Sequence, residues 1–453
     1  MEYKVRELDG TLWLAVSLAI RGYKVAIGEM SAIAGGIDRI QPDVYIDGNA
    51  LYGQEKLRRY EELSKKNVKL VVLDAEGGIF YSNEAYAQRL SMDILQYVDC
   101  FLAWGDAASD TLNTYRPGFS PDRISLTGNP RFDLVQTKFR QYYAKEHMKR
   151  SEEFGAYVLI NTNFGTANHF SQHISQETYR KIRKAPPDQE FEIYQRELLN
   201  HFVEGIDCLS NQFPNLGIVV RPHPSENHAT YDRLFASHHN VHVECRGSVR
   251  SWILGAIVTI HNGCTTGIEG VLLGKPVIAF RPLAQSKYDQ SLPNSVSKCI
   301  HTVEGLCDAV SKLLDGEKWE DPSPVQESKL EYFIHNARSG VISADLICRV
   351  IDNMDNVGAF RACSPLGSFR TRLKRQIKAM LGTKGMELVR RLRGQTEGAL
   401  YAKQKFPRLS KEELRERVDR LRECSVDAGD IVIRRIQGLE CSYWISQKKR
   451  FGR

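Results

Sequence analysis

The chain has 453 residues, more than one ordinary domain holds, so two packed cores and room for an appendage are expected. Its 42% hydrophobic and 26% charged residues exclude a largely disordered protein, and no run reaches the roughly 20 apolar residues that span a bilayer. The net charge of +7 is uneven, because residues 364–453 carry 23 Lys and Arg against 10 Asp and Glu and leave the rest of the chain acidic.

The first half alternates helical and strand patterns. Leu12 to Ala19 reads as a buried helix, Tyr23 to Ile27 as a short strand and Asp43 to Ile46 as another. Glu55 to Lys65 is a charged amphipathic helix. Val68 to Leu73 is an apolar run of the length and continuity of a strand covered on both faces. Asp99 to Ala103 repeats that pattern before a helix at Ala107 to Tyr115, and Arg123 to Leu126 ends in the turn Gly128-Asn129-Pro130. The first strand of this half is expected to be missing or very short, since a helix begins almost at once. This rhythm predicts a parallel, doubly wound sheet.

A charged stretch from Gln136 to Glu153 reads as the connection, after which the rhythm restarts. Strands are expected at Tyr157 to Ile160, Leu216 to Val220, Ala256 to Ile260 and Pro276 to Phe280. Helices are expected at Phe191 to Asn211, Thr302 to Leu314 and Ile342 to Met354. Residues 1–140, 141–354 and 355–453 are thus read as a first α/β lobe, a second α/β lobe and a basic helical extension, with a cleft between the lobes. In the extension, Phe369, Leu373, Ile377 and Leu381 recur at helical spacing among five Lys and Arg, the pattern of a basic amphipathic helix. An anionic membrane surface or a nucleic acid would suit it, and a solvated helical tail is the plain alternative. The tail lacks aromatic interleaving, so nucleic acid is the less favoured partner. A last helix at Lys411 to Arg422 has Ser410 and Glu413 spaced as a capping box.

The N-terminus has no apolar secretory core. Ten cysteines stand singly with no CxxC pair, which fits a reducing compartment and hence a cytosolic location.

In open α/β sheets ligands lie beyond the C-terminal strand ends. One strand there runs into Arg221-Pro222-His223-Pro224-Ser225-Glu226, another into His261-Asn262-Gly263-Cys264-Thr265-Thr266-Gly267-Ile268-Glu269-Gly270. Small and hydroxyl residues at a strand-to-helix turn make a phosphate site, and Glu269 suits ribose hydroxyls. Read singly, Thr265 and Thr266 are helix caps, Glu269 a partner of the helix dipole and His223 a packed loop residue. Asn161 and Asn163 lie in a polar loop after the first strand of the second lobe. Leu73-Asp74-Ala75-Glu76-Gly77-Gly78 puts two carboxylates, candidates for a general base, beside glycines that would let a ligand approach. The alternative is a capping Asp74 and a solvated Glu76, with Glu7 and Asp9 as second candidates for the base. Asn129 and Arg131 either contact ligand or form a plain turn. No DxD pair or His/Asp cluster has metal-ligand spacing, so metal-independent chemistry without a cofactor is expected.

RPHPSE followed by HNGCTTGIEGVLLGKPVIAF resembles the donor half of GT-B glycosyltransferases of the bacterial surface carbohydrate biosynthesis family, similar to capsule Kdo and sialic-acid-type transferases. KVRELDGTLWLA, LDAEGG, TGNPRFD and QKFPRLS extend the resemblance over most of the chain. It implies a GT-B-like fold of two Rossmann-like domains. It also implies that His223, Thr265 and Thr266, with Arg221 beside them, bind the nucleotide of a CMP-linked donor such as a Kdo or nonulosonic acid. The acceptor would be a glycan or lipid-linked glycan for capsule or lipopolysaccharide, met at the inner face of the cytoplasmic membrane through residues 369–381. The same fold also serves UDP-sugar 2-epimerases and CDP-glycerol-type phosphotransferases, and a nucleic-acid-binding protein is the non-enzymatic alternative.

Overall fold

The computed structural model describes residues 1–170, 189–283, 287–289, 291–355, 357, 396–424 and 429–448. The chain forms two units, Met1–Tyr142 with Glu331–Arg453, and Tyr143–Leu330. Thirteen strands are present among the described residues. In the first unit they are β1 (Val25–Ile27), β2 (Val44–Asp47), β3 (Lys69–Val72), β4 (Cys100–Ala103) and β5 (Ile124–Leu126). The second unit holds β6 (Tyr157–Asn161), β7 (Gly217–Arg221), β8 (Val241–Val243), β9 (Thr259–His261), β10 (Val277–Phe280) and β11 (Lys298–Ile300). The first unit ends with β12 (Ile431–Arg435) and β13 (Tyr443–Gln447).

The expected α/β class with parallel sheets is observed. In the first unit β2-β3-β4-β5 form a parallel sheet in sequential order. The apolar run that predicts β3 is buried from Leu70 to Val72, as a strand covered on both faces requires. The helix Lys4–Ile20 is buried nearly all round, through Leu8, Leu12, Trp13, Leu14, Val16 and Leu18. Such a helix is surrounded rather than laid on a surface. It packs against Pro130–Asp133, Ser343–Asp352, Lys411–Glu423, β1 and β13.

The strand at Tyr23 to Ile27 belongs elsewhere than its sequence order suggests. β1 pairs antiparallel with β13, which pairs antiparallel with β12, in a separate three-stranded sheet. Residues near the chain's C-terminal end thereby complete the first unit. The segment from Glu331 returns to the same unit, and Asp133 fastens it. This buried carboxylate accepts from Trp13 Nε1 at 2.9 Å, Ser343 N at 2.7 Å and Ala344 N at 2.9 Å, capping the helix Ser343–Asp352. Burial pushes its carboxyl up to about 6, against the pull of those donors. The capping box at Ser410 is formed, its hydroxyl accepting from Glu413 N at 3.1 Å. The charged stretch read as the connection is largely a helix, Arg140–Phe154, most of which belongs to the second unit.

The second unit is a six-stranded parallel sheet in the order β11-β10-β9-β6-β7-β8. From β6 the chain builds one way through β7 and β8, then crosses back to add β9, β10 and β11 on the other side. That is the doubly wound order, and it creates a switch point between β6 and β9, where connections leave in opposite directions and open a crevice. The core around it is apolar, with Val158, Ile160, Ile218, Val220, Ile260, Ile278 and Phe280 packed under Phe164, Phe202 and Ile206. The short strands β8 and β11 carried too few apolar residues to be read from periodicity. The stripe of Phe369, Leu373, Ile377 and Leu381 lies outside the described residues, and among those described no helix is long and apolar enough to cross a membrane.

Candidate active site

In the second unit the sheet register aligns Asn161 with His261 on one side and with Arg221 on the other. The polar residues that end β9, β6 and β7 therefore stand side by side at the switch point, although the sequence separates them widely. Asn161 is 4% exposed, and its side-chain Nδ2 has no hydrogen-bond partner among the described residues. Both polar atoms of the Asn262 side chain are likewise buried and unpartnered among them. A buried polar group left unmade costs roughly 1–3 kcal/mol, so two such amides at one crevice mark a place shaped for a polar ligand. Asn163 is half-buried two residues beyond β6.

The helix Thr265–Leu272 starts at this edge, with Cys264 at the N-cap and no side chain capping it. Thr265 and Thr266 occupy its first turn rather than the cap, and the Thr266 hydroxyl meets Cys264 Sγ. The positive end of the helix dipole thus lies beside the two amides, a suitable setting for phosphate. His261 is fully buried, with Nδ1 accepting from Gly263 N at 2.9 Å and Nε2 at 2.9 Å from Ser297 Oγ. Burial pushes its pKa down to about 3, so it is a neutral strut of the turn. His223 Nδ1 lies 2.7 Å from Ser225 Oγ and accepts from Ser225 N at 3.2 Å. With Nδ1 accepting, the ring proton sits on Nε2, assigned from these bonds, and is a donor suited to an anionic oxygen.

Two further residues of this set are engaged in holding the unit together. Arg221 donates from Nη1 to Arg246 O at 3.0 Å and from Nη2 to Gly247 O at 2.7 Å, with its guanidinium 6.0 Å from the Trp252 ring centroid. It ties the end of β7 to the loop after β8. Glu269 is fully buried and accepts from Arg250 Nη2 at 2.7 Å. Arg250 Nη1 also reaches the Tyr143 hydroxyl at 3.3 Å.

In the first unit the candidate acids fall into distinct roles. Asp74 is 1% exposed, and its Oδ1 accepts from Glu76 N at 3.0 Å and Arg89 Nη2 at 3.4 Å. Burial raises its pKa in spite of Arg89. Glu76 keeps about a third of its side chain exposed and binds Arg6 Nη1 at 2.5 Å. Burial opposes its charge, yet Arg6, Arg89 and Arg131 together hold its pKa below the usual carboxylate range. Glu7 pairs with Arg6 at 3.2 Å and accepts from Glu2 N and Tyr3 N, so it ties the residues that precede the first helix to its first turn. Asp9 is buried between the Tyr142 hydroxyl at 3.0 Å and Arg417 at 3.2 Å, a structural contact with the C-terminal segment.

The glycines after Glu76 admit a side chain rather than a ligand. A Cβ on Gly77 would stand 2.9 Å from Trp104 Cδ1, and one on Gly78 2.5 Å from its Cε3. Asn129 caps the short helix Pro130–Asp133, its Oδ1 accepting from Arg131 N at 3.0 Å, which favours the turn reading. Arg131 is buried with its guanidinium 5.5 Å from the Phe132 ring.

Sequence reasoning passed over Arg6, Arg89, Arg250 and Glu226, which set the charge or shape of these sites. Arg6 adjoins a residue already singled out, and Glu226 ends a quoted motif, but Arg89 and Arg250 carry no local signal. Among the described residues no group of three or more His, Cys, Asp and Glu is arranged to hold a metal ion.

No family model and no curated protein matches the chain. Among solved structures it is similar to the UDP-GlcNAc 2-epimerase of Neisseria meningitidis bound to UDP-GlcNAc, at 13% identity over 72% of this chain and 80% of that one, with a TM-score of 0.44. A UDP co-structure of MnaA from S. aureus is similar at 13% identity over 74% and 80%, with a TM-score of 0.45. A variant of the wall teichoic acid polymerase TagF soaked with CDPG is similar at 11% identity over 68% and 71%, with a TM-score of 0.41. Likeness at this level gives no residue here a role.

Proposed function

We propose that the chain is a glycosyltransferase that takes a sugar from a nucleotide-activated donor and passes it to a glycan hydroxyl. The observation that carries this reading is the switch point of the second unit. The buried Nδ2 of Asn161 and both buried polar atoms of the Asn262 side chain, unpartnered among the described residues, flank the start of the helix Thr265–Leu272, with the His223 loop on the neighbouring strand end. In this reading the helix N-terminus and the two threonines meet the donor phosphate, and His223 Nε2–H donates to a phosphate or base oxygen. The resemblance of the RPHPSE and CTTGIE segments to capsule transferases favours a CMP-linked ulosonic acid as donor. The acceptor proton falls to the first unit, where Glu76 is ionised and partly exposed, while buried Asp74 orients its backbone and Arg6 holds its side chain.

Thermal-shift measurement against CMP, CDP, UDP and GDP tests the donor site. A ligand that binds only the folded chain at a hundred times its Kd adds about 2.7 kcal/mol to apparent stability. CMP is expected to give the largest shift, and His223→Ala or the pair Thr265→Ala/Thr266→Ala should abolish it. No shift with any of the four nucleotides would remove the assignment. A shift with UDP alone, joined by conversion of a UDP-sugar without acceptor, would replace the transferase by a 2-epimerase.

The basic stripe at residues 369–381 is assigned, in the same reading, to an anionic membrane surface where a lipid-linked acceptor resides. Truncation before Phe369 would be a poor test, because it removes β13, the partner of β1. Charge reversal of Arg370, Arg372, Lys374, Arg375 and Lys378 leaves the hairpin in place. It should release the chain from anionic vesicles at low salt, each lost cation being worth roughly 1 kcal/mol. Equal co-sedimentation of wild type and variant would end the membrane assignment.

A further inference from the structure

The loop that carries His223 owes its shape to one carboxylate. Glu226 is fully buried, with its Oε1 accepting from His223 N at 2.9 Å and from Thr162 Oγ1 at 2.8 Å, and its Oε2 accepting from the Tyr231 hydroxyl. The Phe164 N–H also donates to it. These donors come from the loops after the adjacent strands β6 and β7, of which β6 borders the switch point, and from the helix His228–Leu234. Burial raises the Glu226 carboxyl, and the four donors work against that rise.

Around this carboxylate the two loops are pressed together. Phe170 N donates to Ser225 O at 2.9 Å, Asn227 N to Asn168 O at 2.9 Å, and Thr230 Oγ1 to Asn168 Oδ1 at 2.8 Å. A Cβ on Gly165 would stand 2.5 Å from Ser225 Oγ, so a larger residue there would turn that hydroxyl away from its present position. Ser225 is the residue that engages the His223 ring. The chain of contacts thus runs from Glu226 through the backbone of the loop to the imidazole. A buried acid that accepts from four donors on two loops and a helix holds a particular loop geometry.

From this geometry we propose that Glu226 is a positioning residue of the nucleotide site. It sets the His223 imidazole and the Asn161–Phe164 loop in one fixed relation. The inference rests on the reading of His223 as a nucleotide contact. It adds that the affinity His223 supplies is conditional on the carboxylate behind it.

The test is a double-mutant cycle in the full chain, with hydrogen exchange as a ligand-independent arm. Glu226→Gln keeps the volume but removes half of the acceptor capacity. Amide exchange in residues 162–170 and in 223–227 should accelerate together. Affinity for whichever of CMP, CDP, UDP and GDP the wild type binds should fall roughly 10- to 100-fold. In a His223→Ala background the same substitution should cost little more, since residues acting through one another are not additive. Tyr231→Phe removes a single donor and serves if Glu226→Gln fails to fold; it should weaken the same nucleotide several-fold with the same non-additivity. Unchanged affinity, or a full additive loss in the His223→Ala background, would overturn the positioning role and leave Glu226 a general support of the unit. If the wild type binds none of the four nucleotides, the donor-site reading falls and takes this inference with it. That case is recognisable because both loops would still loosen together in exchange.

Discussion

Replacing Glu269 by alanine should cost about 3–5 kcal/mol of stability, because it strands the Arg250 guanidinium inside the second unit. The pair is dry: side-chain exposure is 3% for Arg250 and 0% for Glu269, at 2.7 Å. Its net worth against water is small, since desolvation offsets most of the attraction, but an unpartnered buried charge is not tolerated. Urea denaturation should show the loss as a fall in the midpoint of the second unit's transition. The double replacement Arg250→Met with Glu269→Leu should recover most of it, as the charge and its partner leave together. As a control, Glu61→Ala removes an exposed ion pair with Lys65 at 2.8 Å, which solvent screening leaves with little effect on stability. A loss from Glu269→Ala no larger than that control would contradict the buried pairing. Loss of nucleotide binding by this variant would therefore report on folding and not on a ribose contact.

The second large effect concerns turnover. Glu76→Gln should lower kcat by roughly 10²–10⁴-fold, the range for removal of a general base, with nucleotide affinity unchanged because the donor site lies in the other unit. Asp74→Asn should cost much less, since an amide oxygen can still accept from Glu76 N and Arg89. The pH profile separates the two acids by sign. Arg6 and its neighbours hold Glu76 below the usual carboxylate range, so its basic form persists and the acid limb of kcat/KM should lie below the range of an ordinary glutamate. Burial raises Asp74, so an acid limb above the ordinary carboxylate range, with Asp74→Asn the more damaging change, would move the role to Asp74.

What the sequence determined by itself was local. Apolar runs such as Leu70 to Leu73 gave strands because the part of a strand covered on both faces needs apolar side chains, while Lys69 at its start stays half-buried beside Asp99. Ser410 and Glu413 gave a helix start because the cap is made within four residues. The polar loops at strand ends were legible for the same reason, as apolar periodicity stops where they begin. Tertiary structure alone decided which of those loops stand together. The order β11-β10-β9-β6-β7-β8 sets Asn161 between His261 and Arg221, and the pairing of β1 with β13 closes the first unit with residues from the far end of the chain. It also decided which charges are spoken for. Glu269, Arg221, Asp9 and Glu7 carry the residue types of a binding site, yet their partners are Arg250, two backbone carbonyls, Tyr142 with Arg417, and Arg6 with the N–H groups of Glu2 and Tyr3. A side chain's chemistry is written at its own position, whereas its hydrogen-bond partner is set by whatever the fold brings within 3 Å, and that depends on packing between segments that share no local pattern.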